Sequence, residues 1–155
     1  MRLISHRGNL FAGQTAPKEN TEQAVYEALS LGFEVEVDLW KVNSNYYLGH
    51  DYPQNQVSFW FLVKNSRKLW FHCKNKAAFR IFRYFGGFMH ESEPFVESKT
   101  IFSKWRWNHS SNHNFDNRSV CVMPELHNLS IEDYRTAGAV CSDDIANIEC
   151  QILKN

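Results

Sequence analysis

The chain has 155 residues, with 17 basic and 17 acidic side chains balancing to zero net charge, 43% hydrophobic residues and 15% aromatic ones. That length suits one domain, residues 1–155, with a single core, and so aromatic a composition excludes an intrinsically disordered chain. A neutral total charge supplies no long-range field toward nucleic acid or an anionic membrane, so any partner must be recognised locally.

Taken in chain order, the opening MRLISHRGNL reads as a short strand that ends in His6 and Arg7. It has no long apolar run, and no stretch approaches the roughly 20 residues of a membrane-spanning helix, so the expectation is an unexported, cytoplasmic protein without stable membrane insertion. Thr21 is placed to cap a helix with a buried stripe of Ala24, Val25, Ala28 and Leu29, stopped by Gly32. FEVEVDLW then alternates as a strand, Phe33, Val35, Val37 and Leu39 on one face and Glu34, Glu36, Asp38 and Trp40 on the other. Carboxylates facing a closed interior cost several kcal/mol each unless cations, hydrogen bonds or water compensate them, whereas on an edge strand they are simply solvated.

Further strands follow as YYLGHD, ending in His50, and LWFHCKN, ending in His72 and Lys74. NKAAFRIFRYFGG has helical spacing over Ala78, Phe79, Phe82 and Phe85, and the glycine pair ends it. GFMHE and KTIFSKW are of strand length and bring His90, Glu91, Trp105, Arg106 and Trp107. Trp105 and Trp107 share a face, as core or as an aromatic wall for a sugar, nucleobase or choline-like group. The polar loop SSNHNFDNRS leaves His109 and His113 solvated. SVCVM leads to Pro124 and Glu125 at another strand end, where Glu125 faces either the pocket or solvent. Ser130 and Asp133 form a capping-box pair for a third helix, and AVCSDD closes the pattern.

Cys73, Cys121, Cys141 and Cys150 show no CxxC spacing and read as reduced cysteines of the core. The sequons at Asn108, Asn117 and Asn128 carry weight only in a secreted protein. Alternating strands and helices predict a parallel sheet covered by helices, open or closed into a barrel. In both architectures, functional groups gather at the carboxyl ends of the strands.

Four such ends carry reactive groups in the first half of the chain. Residues two apart on a strand share a face, so Glu36 with Asp38, and His72 with Lys74, project together. Two carboxylates and an imidazole can hold a divalent cation, which neutralises the acids and acts as a Lewis acid. Arg7 and Lys74 supply a planar donor fork and a point charge for a phosphate. His6 and His50 have the intrinsic pKa to move protons near neutral pH. Together these groups point to phosphoester cleavage.

HRG at 6–8, EN at 19–20, ExD at 36–38 and GHD at 49–51 resemble, in order and approximate spacing, the signature of glycerophosphodiester phosphodiesterases within the PLC-like phosphodiesterase superfamily. HCKN, FMHE, VMPE and CSDD resemble a compact branch of the same superfamily. The resemblance implies a TIM-type (β/α) barrel with its site at the carboxyl face and a divalent ion, often calcium or magnesium. Matched residue by residue, it implies His6 and His50 as general acid and base, and Arg7 as the phosphate-binding arginine. It further implies Glu36 and Asp38 as metal ligands and Glu19 as an acid that orients the site. Asp143 falls in the Ser-Asp pair of the last strand. Two departures stand out. Where the family has Glu-x-Lys, this chain has His72 before Lys74; imidazole weakens calcium binding and favours manganese, zinc or another transition metal. The chain is also short for such a barrel, so the expectation is a trimmed barrel of about seven or eight strands with several helices missing, completed or not by a second copy in a homodimer.

The leading functional expectation is therefore a metal-dependent phosphodiesterase acting on a small-molecule, glycerophosphodiester-like substrate. The alternative is a phosphate-binding module of the same fold that has lost turnover. Acyl or nucleotidyl transfer is disfavoured, because no GxSxG elbow, Walker loop or GxGxxG fingerprint occurs.

Overall fold

The computed structural model describes residues 1–13, 19–89, 97–99, 104–109 and 115–154. In chain order the described elements are β1 (Arg2–His6), α1 (Glu22–Ser30), β2 (Glu34–Val42), β3 (Asn45–Leu48), β4 (Asn55–Val57), α2 (Phe59–Asn65) and β5 (Leu69–Cys73). There follow α3 (Lys76–Phe82), β6 (Glu97–Lys99), β7 (Arg106–Asn108), β8 (Ser119–Val122), α4 (Ile131–Tyr134), β9 (Ala139–Ser142) and α5 (Ile145–Ile152).

The helix signals work locally. The Thr21 hydroxyl accepts the Ala24 N–H at 3.1 Å, Val25 and Ala28 are buried, and the chain leaves α1 through Gly32. Asn75 caps α3, whose path ends at Gly86 after a 3-10 turn. The capping box of Ser130 and Asp133 is present, although α4 lasts only four residues. α2 has no counterpart in the sequence pattern, since FWFLV is apolar throughout and shows no helical spacing; the Ser58 hydroxyl accepts the Phe61 N–H at the start of this helix, which buries Phe61 and Leu62. α5 likewise follows β9 without a side-chain cap.

The strands form one mixed sheet in the order β4-β3-β2-β1-β9-β8-β7-β6, with β5 paired to β2. β5, β2, β1, β9, β8 and β7 are mutually parallel neighbours, and β3, β4 and β6 are antiparallel to theirs. This corrects the expected TIM-type barrel of seven or eight strands. The sheet curls into a half-barrel with five short helices, and among the described residues no backbone ladder closes it. The physical reason lies in the connections: the two residues between β2 and β3 can make only a hairpin, which forces an antiparallel return where a barrel needs a helix and a parallel strand. Phe88 makes a single parallel bridge to His72, and its ring stacks on Trp107 of β7 at 4.3 Å, so among the described residues side chains span the gap that backbone does not.

Two apolar clusters lie on the two faces of the curl. Val35, Val37, Leu39, Phe71 and Val140 pack outward against Val25, Ala28, Leu62, Ala78, Phe82 and Ile145 of the helices. Ile4, Trp70, Phe88, Trp107, Val120, Val122, Ala139 and Cys141 fill the concave side. Strand alternation therefore turns Glu34, Glu36 and Asp38 into the concave interior, and all three are buried. They are not the solvated acids of an edge strand.

β2 also shows how the site is assembled. Leu39 pairs with Cys73 of β5 on one edge and with Leu48 of β3 on the other, so β3 takes the edge that β1 vacates after His6. Running back along β2, β3 delivers Gly49 and His50 beside the end of β1. Gly49 is obligatory there: its φ is +154°, and a Cβ would come within 2.3 Å of the Tyr52 carbonyl oxygen. Among the described residues no helix is long and apolar enough to cross a membrane.

Candidate active site and metal cluster

One cavity of about 360 Å³ opens at the carboxyl ends of the parallel strands, and His6, Arg7, Glu36, His50, His72 and Lys74 all line it. Asp38 lies beneath them, fully buried. The oxygens of Glu36 and Asp38 and a ring nitrogen of His72 lie within 4.8 Å of one another. His72 Nδ1 is 2.9 Å from Asp38 Oδ1 and 3.7 Å from Glu36 Oε1, while the ring is held flat against Phe88 at 5.0 Å.

These residues fit a divalent ion. Among the described residues, Glu36 Oε2 is buried without a hydrogen-bond partner, and Asp38 Oδ1 faces only the His72 ring nitrogen at 2.9 Å and Lys74 Nζ at 3.5 Å. A 2.9 Å separation of ligand atoms also resembles one edge of a coordination shell with bonds of about 2.1 Å. The pair is electrostatically unequal. Burial, with Asp38 as neighbour, pushes Glu36 up to about 7. Burial works against the Asp38 carboxylate too, but His72, Arg7 and Lys74 outweigh it and hold Asp38 well below the usual carboxylate range.

Around this cluster each remaining group has its own support. His6 Nδ1 donates to Asp143 Oδ1 at 2.8 Å, which turns Nε2 toward Glu36, 3.8 Å away. Burial disfavours the charged His6 ring, but the hydrogen bond to Asp143 and the nearby Glu36 carry its pKa above the ordinary value. Arg7 takes a left-handed conformation, φ 56°, at the end of β1; its Nε lies 2.9 Å from Asp38 Oδ2 and its Nη1 3.5 Å from Glu19 Oε1. Lys74 Nζ is 3.5 Å from Asp38 Oδ1. His50, more exposed, is held by its sequence neighbour Asp51 at 2.7 Å.

Glu125 does not line the cavity. It is exposed and accepts from the Ser142 hydroxyl at 2.8 Å and the Asp143 N–H at 3.0 Å, so it fixes the segment that carries Asp143. Trp107 lines the cavity, whereas Trp105 lies at the opposite end of the curl. His109 lines the cavity instead of standing in solvent, because β7 ends one residue before it. His90, Glu91 and His113 lie outside the described residues.

Two asparagines gave no sequence signal beyond their place in HRGN and EN. Asn9, buried, donates to Asp143 Oδ1 at 2.8 Å and to Glu19 Oε2 at 3.4 Å, linking the partner of His6 to the partner of Arg7. Asn20, also buried, bonds twice to Asp38. Comparison with protein-family models, with curated proteins and with solved structures finds no match to this chain.

Proposed function

We propose that the protein is a metal-dependent phosphodiesterase acting on a small, glycerophosphodiester-like substrate. The observation that carries this reading is the single cavity in which two carboxylate-supported imidazoles and two cationic side chains face a buried cluster of two carboxylates and one imidazole. Glu36, Asp38 and His72 would hold the ion, which supplies Lewis-acid polarisation of a phosphoryl oxygen when bound. The imidazole ligand suits manganese or zinc better than calcium, which takes six to eight oxygens.

Arg7 and Lys74, each anchored by Asp38, set positive charge in the cavity wall where a phosphate's charge builds up. Asp143 and Asp51 each bind the Nδ1 of a histidine, so His6 and His50 exchange protons through Nε2. One imidazole deprotonates the attacking water or a neighbouring substrate hydroxyl, and the other protonates the leaving oxygen. A neighbouring hydroxyl as nucleophile gives a cyclic phosphate product.

Hydrolysis of bis(p-nitrophenyl) phosphate and of glycerophosphocholine, measured with a chelator and then with added Mn²⁺, Zn²⁺, Mg²⁺ or Ca²⁺, tests the reading. Turnover restored by metal and reduced about 10²- to 10⁴-fold in His6→Ala and His50→Ala is the expected result. Folded protein that cleaves neither substrate with any of these ions, or His6→Ala with parental rates, overturns it.

A second reading is a phosphate-binding module without turnover. It is favoured by one feature, the two cationic groups, Arg7 and Lys74, within 3.5 Å of the Asp38 carboxylate, which already balance that charge. Calorimetric binding of glycerol 3-phosphate under chelator, with no cleavage under any metal, would select it.

A further inference from the structure

We propose that Asn20 is a positioning residue that fixes the rotation of the Asp38 carboxylate, committing Oδ2 to the protein and presenting Oδ1 to the ion site. The inference rests on the reading of Asp38 as a metal ligand. Asn20 is 1% exposed, and its amide faces Asp38 with both ends: Oδ1 accepts the Asp38 backbone N–H at 3.0 Å, and Nδ2 donates to Asp38 Oδ2 at 3.0 Å. A backbone N–H can only donate, so the amide oxygen has to face it, and the amide NH₂ is thereby aimed at the carboxylate. The orientation is dictated by chemistry and admits no flip.

The backbone of Asn20 is held as firmly as its side chain. Its φ is 53°, a left-handed conformation that asparagine tolerates better than most residues. Its N–H donates to the Arg7 carbonyl at 2.8 Å, and its carbonyl accepts from Asn55 Nδ2 of β4 at 3.0 Å. The end of β1, the middle of β2 and the β3–β4 hairpin are thus tied through one residue. Arg7 Nε, 2.9 Å away, adds charge on the same Oδ2. A carboxylate free to turn about its Cβ–Cγ bond exchanges its two oxygens, whereas this one has Oδ2 hydrogen-bonded by Asn20 with the Arg7 charge beside it, and Oδ1 turned toward His72 Nδ1 at 2.9 Å and Lys74 Nζ at 3.5 Å. The outcome is a single preset ligand atom, with its reorganisation removed before an ion arrives.

Outer-shell supports of this kind change metal affinity by about 10- to 100-fold when removed. Titration calorimetry of the metal-free full chain with Mn²⁺, alongside thermal melts under chelator, tests the proposal. Asn20→Ala should weaken Mn²⁺ binding at least about tenfold. Asn55→Ala loosens the same loop without touching Asp38 and should stay within about threefold of the parent. Should Asn20→Ala not fold, Asn20→Ser, whose side chain is too short to span both Asp38 contacts, carries the same expectation. A folded Asn20 variant that binds Mn²⁺ like the parent, or an Asn55→Ala loss as large as that of Asn20→Ala, overturns the positioning role. A parent that binds Mn²⁺ but cleaves no phosphodiester overturns the proposed function alone, and a parent that binds no divalent ion overturns both.

Discussion

Glu34 and Glu36 stand two residues apart on the same face of β2, yet the fold treats them in opposite ways. Glu34, at the lower end of the curl, is fully satisfied: Oε1 accepts from Arg2 Nε at 2.9 Å and lies 2.7 Å from Arg2 Nη2, and Oε2 accepts from Trp70 Nε1 at 2.6 Å. The Arg2 guanidinium in turn lies over the Trp70 and Trp105 rings, at 5.1 and 5.7 Å. Glu36, at the upper end, is buried with Oε2 lacking a partner among the described residues and with its nearest imidazoles at 3.7 and 3.8 Å. A folded chain tolerates one uncompensated buried carboxylate far less readily than a paired one. The lower acid holds the sheet together, and the upper acid is kept in a costly state that an ion would relieve.

The sharpest test of that contrast is activity. Glu36→Gln should lower metal-dependent turnover by about 10²-fold or more, the loss expected when several kcal/mol of electrostatic stabilisation go with the ion. Glu34→Gln, read at a temperature where it remains folded, should stay within about threefold of the parent. Equal losses from the two substitutions would erase the distinction between the ends of β2.

The sequence shows why one half of this contrast was legible and the other was not. Alternation alone puts Glu34, Glu36 and Asp38 on one face, and the strand-end pattern brings His6, Arg7, His50, His72 and Lys74 to one cavity. Alternation in FEVEVDLW does not separate Glu34 from Glu36; the strand end and the ExD resemblance single out Glu36, but the role of Glu34 stayed hidden because its partner is Arg2, 32 positions away, and that pairing depends on strand register. The same limit hid Asn9 and Asn20, since asparagine in a loop is ordinary and burial depends on what folds over it. The barrel expectation failed at a different level. It followed from the family resemblance, since the order of strands and helices left the sheet open or closed, whereas curl and closure are decided by connection lengths, such as the hairpin between β2 and β3, and by the Phe88–Trp107 ring stack. His109 was misplaced because it directly follows the last residue of β7, at the strand end, and precedes the polar loop that begins at Ser110.

Stability under chelator gives the next largest contrast, with opposite signs. Glu34→Gln should destabilise the fold by about 2 kcal/mol, because Arg2 and Trp70 lose their charged acceptor; for a chain of this size that is a fall in Tm of roughly 4–8 °C. Glu36→Gln should stabilise it, and increasingly so with pH. Burial first, and then Asp38, raise the Glu36 pKa to about 7 in the folded state, against His6, Arg7 and Lys74, which act to lower it. A group whose folded pKa is raised contributes fully at acid pH and loses that contribution as pH climbs through about 7. Glutamine mimics the protonated form throughout, so the Tm advantage of Glu36→Gln over the parent should grow between about pH 5 and about pH 8. An advantage that is flat or shrinking over that range would mean that the Glu36 charge is not penalised by burial.

The smallest effect tests the lower end alone. In Trp70→Phe a ring remains for Arg2 and for the edge contacts to Trp105 and Trp107, at 5.5 and 5.4 Å in the parent, but the N–H that donates to Glu34 Oε2 is gone. Removing one hydrogen bond to a charged acceptor costs about 1.5–3 kcal/mol when that acceptor stays buried, and less here because Arg2 remains on the carboxylate and is 43% exposed at its side chain. A loss of about 1 kcal/mol is expected, with metal affinity unchanged. Its size should depend on Glu34: once Glu34→Gln has removed the charged acceptor, the same Trp70→Phe change should cost about half as much, and a double-mutant cycle by chemical denaturation reads the difference. If the two losses instead add without coupling, the indole N–H contributes nothing to holding Glu34, and Arg2 alone accounts for the satisfied acid.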